Sequence, residues 1–181
     1  AALTHCLHEL KNRLLPWDVW AIATVQEEVS YAGAYTSAYH LRPALAVAVD
    51  VTFGDGPASL PHKTFPIGKG ITFGWGPNIH PRFHQEIRKL ADQLEIPYQP
   101  EFMPRHSGTD AFALQVAAEG VPTMVVSIPV RYMHTPVEMV SLKDIARAGR
   151  LLAEFASRLD MEFLNRIRLE EAGQQVLSPN N

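Results

Sequence analysis

Leu3, Leu7, Leu10 and Leu14 recur at three- and four-residue intervals, which predicts an amphipathic helix over residues 2–14, stopped by Pro16. The next apolar run, WDVWAIATV over 17–25, is nearly continuous rather than alternating, as expected of a strand covered on both faces. A short helix is expected over 31–41. After Arg42-Pro43 a second buried strand, ALAVAV over 44–49, runs up to Asp50. Residues 54–79 are rich in Gly and Pro and read as loop with one or two short strands. Pro81 opens a helix with Phe83, Ile87, Leu90 and Leu94 on one face. A short strand is expected over 98–103, and Thr109 can cap a helix over 110–119 that Gly120 ends. TMVVSI over 123–128 reads as a third buried strand. Ser141 with Asp144 resembles a capping box, and the long helix it opens carries Leu142, Ile145, Leu152, Phe155 and Leu159 inward. AGQQVLSPNN over 172–181 reads as a frayed tail, which leaves residues 1–171 as the folded portion.

Helices alternating with buried strands predict an α/β fold, a mainly parallel mixed sheet flanked by helices. The chain has 181 residues, enough for one domain with a core. A net charge of −3 and a pI near 6.2 give no basic surplus for nucleic acid or an anionic membrane. No apolar run approaches the ~20 residues of a membrane-spanning helix. With Cys6 as the only cysteine, an intrachain disulfide is impossible, which fits a reducing, cytoplasmic setting.

In an α/β sheet, sites gather beyond the carboxyl ends of the strands. Here the first expected strand runs into Glu27-Glu28, the second into Asp50, and the third into PVRYMH, ending at His134. Carboxylates crowded at the end of a buried sheet repel one another and lose hydration, so they take up protons or gather a cation. Carboxylate and imidazole together suit Zn²⁺, Co²⁺ or Mn²⁺, and a pair of such ions can activate water and polarise a carbonyl. Neighbours in an extended chain point to opposite sides, so one glutamate could hold metal while the other handles a proton. The bland alternatives are a solvated Glu-Glu loop, an Asp at a turn and a surface His.

The wording of these stretches narrows the choice. ATVQEEV followed by GA, a strand ending in DVT, GKG with GP, SGTDA, GVPT and IPVRYMHTPVE occur in this order. The series resembles the TET-type (tetrahedral) aminopeptidases, metallopeptidase family forty-two, over about residues 2–160. The resemblance implies a zinc-peptidase-like (phosphorylase-like) fold and two divalent metal ions, zinc or cobalt, with manganese as a further candidate. It implies release of N-terminal residues from short peptides by a homo-oligomer, a hollow dodecamer. It implies Glu27 as the catalytic base toward water, Glu28 and His134 as ligands of one metal, and Asp50 as a ligand of the other. Asp110, in SGTDA, would lie near the pocket and contact the substrate's amino group.

Departures accompany the resemblance. Family members carry a metal-binding His in a His-x-Asp context, a bridging Asp in an Asp-Asp-Arg stretch, and a small β-domain between the two; none is in this sequence. The chain therefore reads as the C-terminal half of such an enzyme, incomplete at its N-terminus. It is expected to be inactive alone and to self-associate through uncovered sheet edges. The alternative is a non-catalytic remnant that serves as an assembly or binding module. Ser30-Tyr31 stand where the family more often has Gly and Leu, and Arg105-His106 where many members have glycines. His80 and His84 have metal-binding spacing but lack the HExxH form, so a helix start with one solvent-facing His is expected. GKGITFGWG lacks dinucleotide-fingerprint spacing, Ser107 lacks a nucleophile elbow, and Lys63, Lys69, His5 and His8 read as solvated.

Overall fold

A computed structural model describes residues 1–57 and 59–168. The expected tail at 172–181 lies outside the described residues. In chain order the elements are α1 (Ala2–Leu10), α2 (Glu27–Ser30), α3 (Ala32–Leu41), β1 (Ala46–Phe53), β2 (Ile71–Trp75), α4 (Pro81–Gln93), β3 (Tyr98–Phe102), α5 (Ala111–Gln115), β4 (Thr123–Arg131), β5 (Met139–Val140), α6 (Leu142–Arg158) and α7 (Phe163–Ile167).

The strands form one mixed sheet in the order β1-β4-β2-β3, with β5 also on β4. β1 runs parallel to β4, and β2 parallel to β3; β2 and β5 meet β4 antiparallel. β4 is central, and eight of its nine residues are buried, as a strand covered on both faces requires. On one face Val47 and Val49 meet Cys6 and Leu10 of α1 and Leu152, Ala153 and Ala156 of α6. Gly149 of α6 lets α1 come close: a Cβ there would stand 2.9 Å from the Ala2 carbonyl. The buried stripe of α1 is Ala2, Cys6 and Leu10, so Leu7 and Leu14 of the expected leucine face are left outward.

α4 is amphipathic as read, with Phe83, Ile87, Leu90 and Ala91 buried. Phe83 also sits in an aromatic group with Phe155 and Phe163. The expectation of one solvent-facing histidine fails here. His80 caps α4, its Nδ1 accepting from the Phe83 N–H at 3.3 Å, and His84 is 3% exposed against Phe73 and Trp75. The expected capping box is half formed: Ser141 caps α6, its hydroxyl accepting from the Asp144 N–H at 3.4 Å, but the other half, the side chain of Asp144, is engaged elsewhere. Its fully buried carboxylate accepts from the N–H groups of Gly68 (2.6 Å) and Gly70 (3.1 Å) and from Arg147 (2.7 Å), pinning the GKG turn to α6.

The principal correction concerns residues 17–25. They belong to no strand, and Trp20 and Val25 are largely exposed. β1 has β4 on one side and no strand on the other among the described residues. A cleft of about 530 Å³ is bordered both by residues of the 17–24 stretch and by Ala44–Val49. An apolar pattern states that burial is needed, but a strand exists only where a neighbour accepts its hydrogen bonds. Here the segment stands off the free edge of β1 and forms no ladder with it.

Candidate functional site

The parallel ladder of β1 and β4 brings Phe53 and Arg131 to the same sheet edge, and the candidate residues gather near it. Asp50 is not the end of its strand. β1 continues through the β-favouring Val51, Thr52 and Phe53, and Asp50 lies opposite Ser127. Its carboxylate accepts from the Val51 N–H at 2.7 Å.

Glu27 and Glu28 are not in extended chain. They open α2, a single helical turn entered from Gln26 and left through Tyr31, both left-handed with φ of 61° and 55°. Successive helical side chains diverge by about 100°, so the two carboxylates still separate, for a different reason than alternation. The turn is held from below. The Gly33 N–H donates to the Val25 carbonyl at 3.0 Å, and a Cβ on Gly33 would stand 2.6 Å from that oxygen. Glycine is thus the residue that lets the end of the 17–25 segment lie against α3. This accounts for the GA that follows QEEV.

His134 lies beyond β4 in a tight turn. Its φ is 61° and that of Tyr132 is 62°; its N–H donates to Glu138 at 2.7 Å. Non-glycine residues at such angles carry backbone strain, and four of them flank this one region. The turn carries the His134 ring to the Glu28 carboxylate, with Nε2 and Oε2 3.3 Å apart. Asp110 comes from the start of α5. Its Oδ2 accepts from the Thr24 hydroxyl at 2.6 Å, while its Oδ1 is buried without a partner. Thr24 was missed in the sequence, although it directly precedes VQEE. Glu101 of β3 was missed as well. It accepts from the Thr52 and Thr72 hydroxyls at 2.6 and 2.7 Å and adds its negative charge to that around Asp50.

The electrostatics tie these residues into one cluster. Burial pushes the Glu27 carboxyl up to about 7, and the negative charges of Asp50, Glu28 and Asp110 push the same way, against the opposing pull of His134. Asp50 is likewise raised by burial and by Asp110, Glu28 and Glu101, against the Val51 hydrogen bond. The structure therefore brings Glu27, Glu28, Asp50, Asp110 and His134 within electrostatic reach of one another. Surplus negative charge and carboxylate–imidazole chemistry fit a divalent cation in kind. In number they fall short. Glu28 and His134 converge, but the described residues contain no group of three or more His, Cys, Asp or Glu that could enclose an ion.

The profile of the M42 glutamyl aminopeptidases matches residues 1–151. The chain belongs to the M42 aminopeptidase family. It covers the C-terminal part of the family domain. It is 41% identical over 134 residues to a lysyl aminopeptidase of Pyrococcus furiosus, covering 74% of this chain and 39% of that relative. Its fold superposes with a TM-score of 0.85 on a TET aminopeptidase from a marine-sediment archaeon of the Thaumarchaeota, at 32% identity over 92% of this chain and 48% of the other. A TET1 peptidase of Pyrococcus horikoshii, able to assemble into a tetrahedron or a large octahedral shell, matches with a TM-score of 0.62 at 28% identity, over 75% of this chain and 40% of that one. The chain thus spans less than half the length of these M42 relatives. Among the described residues no helix is long and apolar enough to cross a membrane.

Proposed function

We propose that this chain forms part of the catalytic domain of a metal-dependent aminopeptidase that releases N-terminal residues from short peptides and works as a homo-oligomer. The observation that carries the reading is the convergence of Glu27, Glu28, Asp50, Asp110 and His134 at one edge of the sheet, with Glu27 poised near neutrality. Glu28 and His134 would hold one divalent ion, zinc or cobalt, and Asp50 would belong to a second. A divalent ion bound there supplies positive charge that polarises a carbonyl and eases ionisation of water. Glu27 takes and returns the proton, because a base titrating near working pH does both. Asp110, with its unpartnered Oδ1, orients the substrate's α-ammonium. The carboxylates around it exclude a blocked or acidic N-terminus.

The same cluster sets a limit. Two converging donors hold an ion weakly, and a lone carboxylate is not a catalytic metal site. The isolated chain is therefore expected to hydrolyse leucyl p-nitroanilide at no more than background. A fusion that supplies the N-terminal portion of the Pyrococcus furiosus relative is expected to hydrolyse it, and Glu27→Gln in that fusion to abolish the rate. A soluble, metal-loaded fusion with no hydrolysis overturns the reading. A Glu27-dependent rate from the chain alone overturns its incompleteness.

A further inference from the structure

Two of the sequence departures noted above, Tyr31 and His106, lie about 75 residues apart, yet in the fold both pack against Phe112. Tyr31 follows the Glu27-Glu28 turn by three residues, and Phe112 follows Asp110 by two. The two rings pack edge to face, 6.2 Å between centroids at 63°. His106 joins from the loop before α5, 5.5 Å from the Phe112 ring. The three rings thus rise from the same two segments that carry the candidate base and the candidate ammonium ligand. Tyr31 and Phe112 are half-buried and His106 is exposed, so the group keeps an open side. The charges felt at the Tyr31 hydroxyl are those of Glu27, Asp50, Asp110 and Glu28, all carboxylates.

We propose that Tyr31, Phe112 and His106 form the wall that receives the first side chain of the peptide, and that it selects large apolar side chains, aromatic before aliphatic, over acidic ones. The proposal rests on the aminopeptidase reading. A peptide whose α-ammonium lies on Asp110 and whose first carbonyl lies toward Glu27 has its first side chain beside these rings. Ring faces and edges favour another ring through offset or edge-to-face contact. In the metal-free chain used for the test, a carboxylate side chain would meet the same carboxylates whose charges reach Tyr31, namely Glu27, Asp50, Asp110 and Glu28. Leucine at the position of Tyr31, and glycine at that of His106, would leave the wall without two of its rings.

The test uses the chain itself and four probes: L-phenylalaninamide, L-leucinamide, L-lysinamide and L-glutamic acid α-amide. Binding is read by chemical-shift titration, with the dispersion of the amide spectrum as the check that each variant is folded. Phenylalaninamide is expected to bind about two- to tenfold tighter than leucinamide, the size of one aromatic pair, and the glutamic acid amide weakest of all. Tyr31→Leu, which keeps the bulk and removes the ring, is expected to erase the preference of phenylalanine over leucine; His106→Gly is expected to reduce it. A phenylalanine-to-leucine ratio unchanged in both variants overturns the wall, as does tightest binding of lysinamide. Failure of all four probes to bind, or binding untouched by Asp110→Asn, overturns the placement of the α-ammonium on Asp110 and the wall with it, while the aminopeptidase reading itself stands or falls with hydrolysis by the fusion.

Discussion

Gly33→Ala sets two physical effects against each other in one methyl group. Gly33 lies inside α3, where alanine gains about 1 kcal/mol of helix propensity over glycine. The added Cβ would stand 2.6 Å from the Val25 carbonyl oxygen, closer still to the Val25 nitrogen, and 3.2 Å from the Thr24 carbonyl carbon. All three are backbone atoms, so no side-chain rotation relieves the overlap. Overpacking of this kind costs about 1–3 kcal/mol. The Gly33-to-Val25 hydrogen bond, 3.0 Å long, is lost as well, at about 1 kcal/mol. Sterics therefore outweigh propensity, and the variant is expected to be less stable by about 1–3 kcal/mol, lowering the melting temperature by roughly 3–10 °C. The displaced Val25 leads directly into Gln26 and the Glu27-Glu28 turn. The Glu27 carboxyl, which titrates near 7 in the intact cluster, is accordingly expected to move back toward the usual carboxylate range. Circular dichroism at 222 nm reads the first effect and carbon-detected NMR titration the second. A variant that melts at or above wild type, with Glu27 still titrating near 7, refutes the argument that Gly33 seats the Glu27-Glu28 turn.

Asp144→Ala removes a fully buried carboxylate, leaves the N–H groups of Gly68 and Gly70 without their acceptor, and leaves Arg147 with only the Gly68 carbonyl. A loss of about 3–5 kcal/mol in urea unfolding is expected, and a loss under 1 kcal/mol would show that the GKG turn is held otherwise. His84 is buried with both ring nitrogens unpartnered, and burial holds it down to about 4. The unfolded chain therefore binds the proton first as pH falls. Stability present above pH 6.5 is lost between about 6.5 and 4, by about 3 kcal/mol. His84→Phe is expected to flatten that acid limb, and an unchanged pH profile would contradict the assignment. The edge of β1 that pairs with no strand among the described residues, with Val19, Trp20, Ile22 and Val25 exposed nearby, is expected to drive self-association in light scattering. A sharp, soluble monomer would contradict that.

The elements that bury one face of a helix were legible in the sequence. α4 and α6 follow from the spacing of Phe83, Ile87 and Leu90, and of Leu152, Phe155 and Leu159, because a helix satisfies its own backbone and needs only a surface to cover. Residues 17–25 were misread because a strand needs a neighbour, and apolar content does not say whether one is present. Asp144 has the local signature of a cap, but its Gly68 and Gly70 partners lie more than 70 residues away, and nothing in a window of sequence reports them. His84 has metal-like spacing, and only the fold shows it closed in by Phe73 and Trp75. That Glu27, Glu28, Asp50, Asp110 and His134 come together was legible in the sequence; their conformation was less so. Glu27 and Glu28 diverge on a helical turn, Asp50 lies within its strand, and Thr24 and Glu101 enter through contacts across the fold.

The central claim is that the carboxylates and imidazole at this sheet edge are part of a metal site that the chain does not complete. Calorimetric titration of the purified chain with Zn²⁺ and Co²⁺, beside a Glu28→Gln/His134→Ala variant, tests it most directly. The account predicts weak binding of at most about one ion per chain, lost in the variant, as two converging donors allow. Tight binding of two ions per chain, or binding that survives the loss of Glu28 and His134, would contradict it.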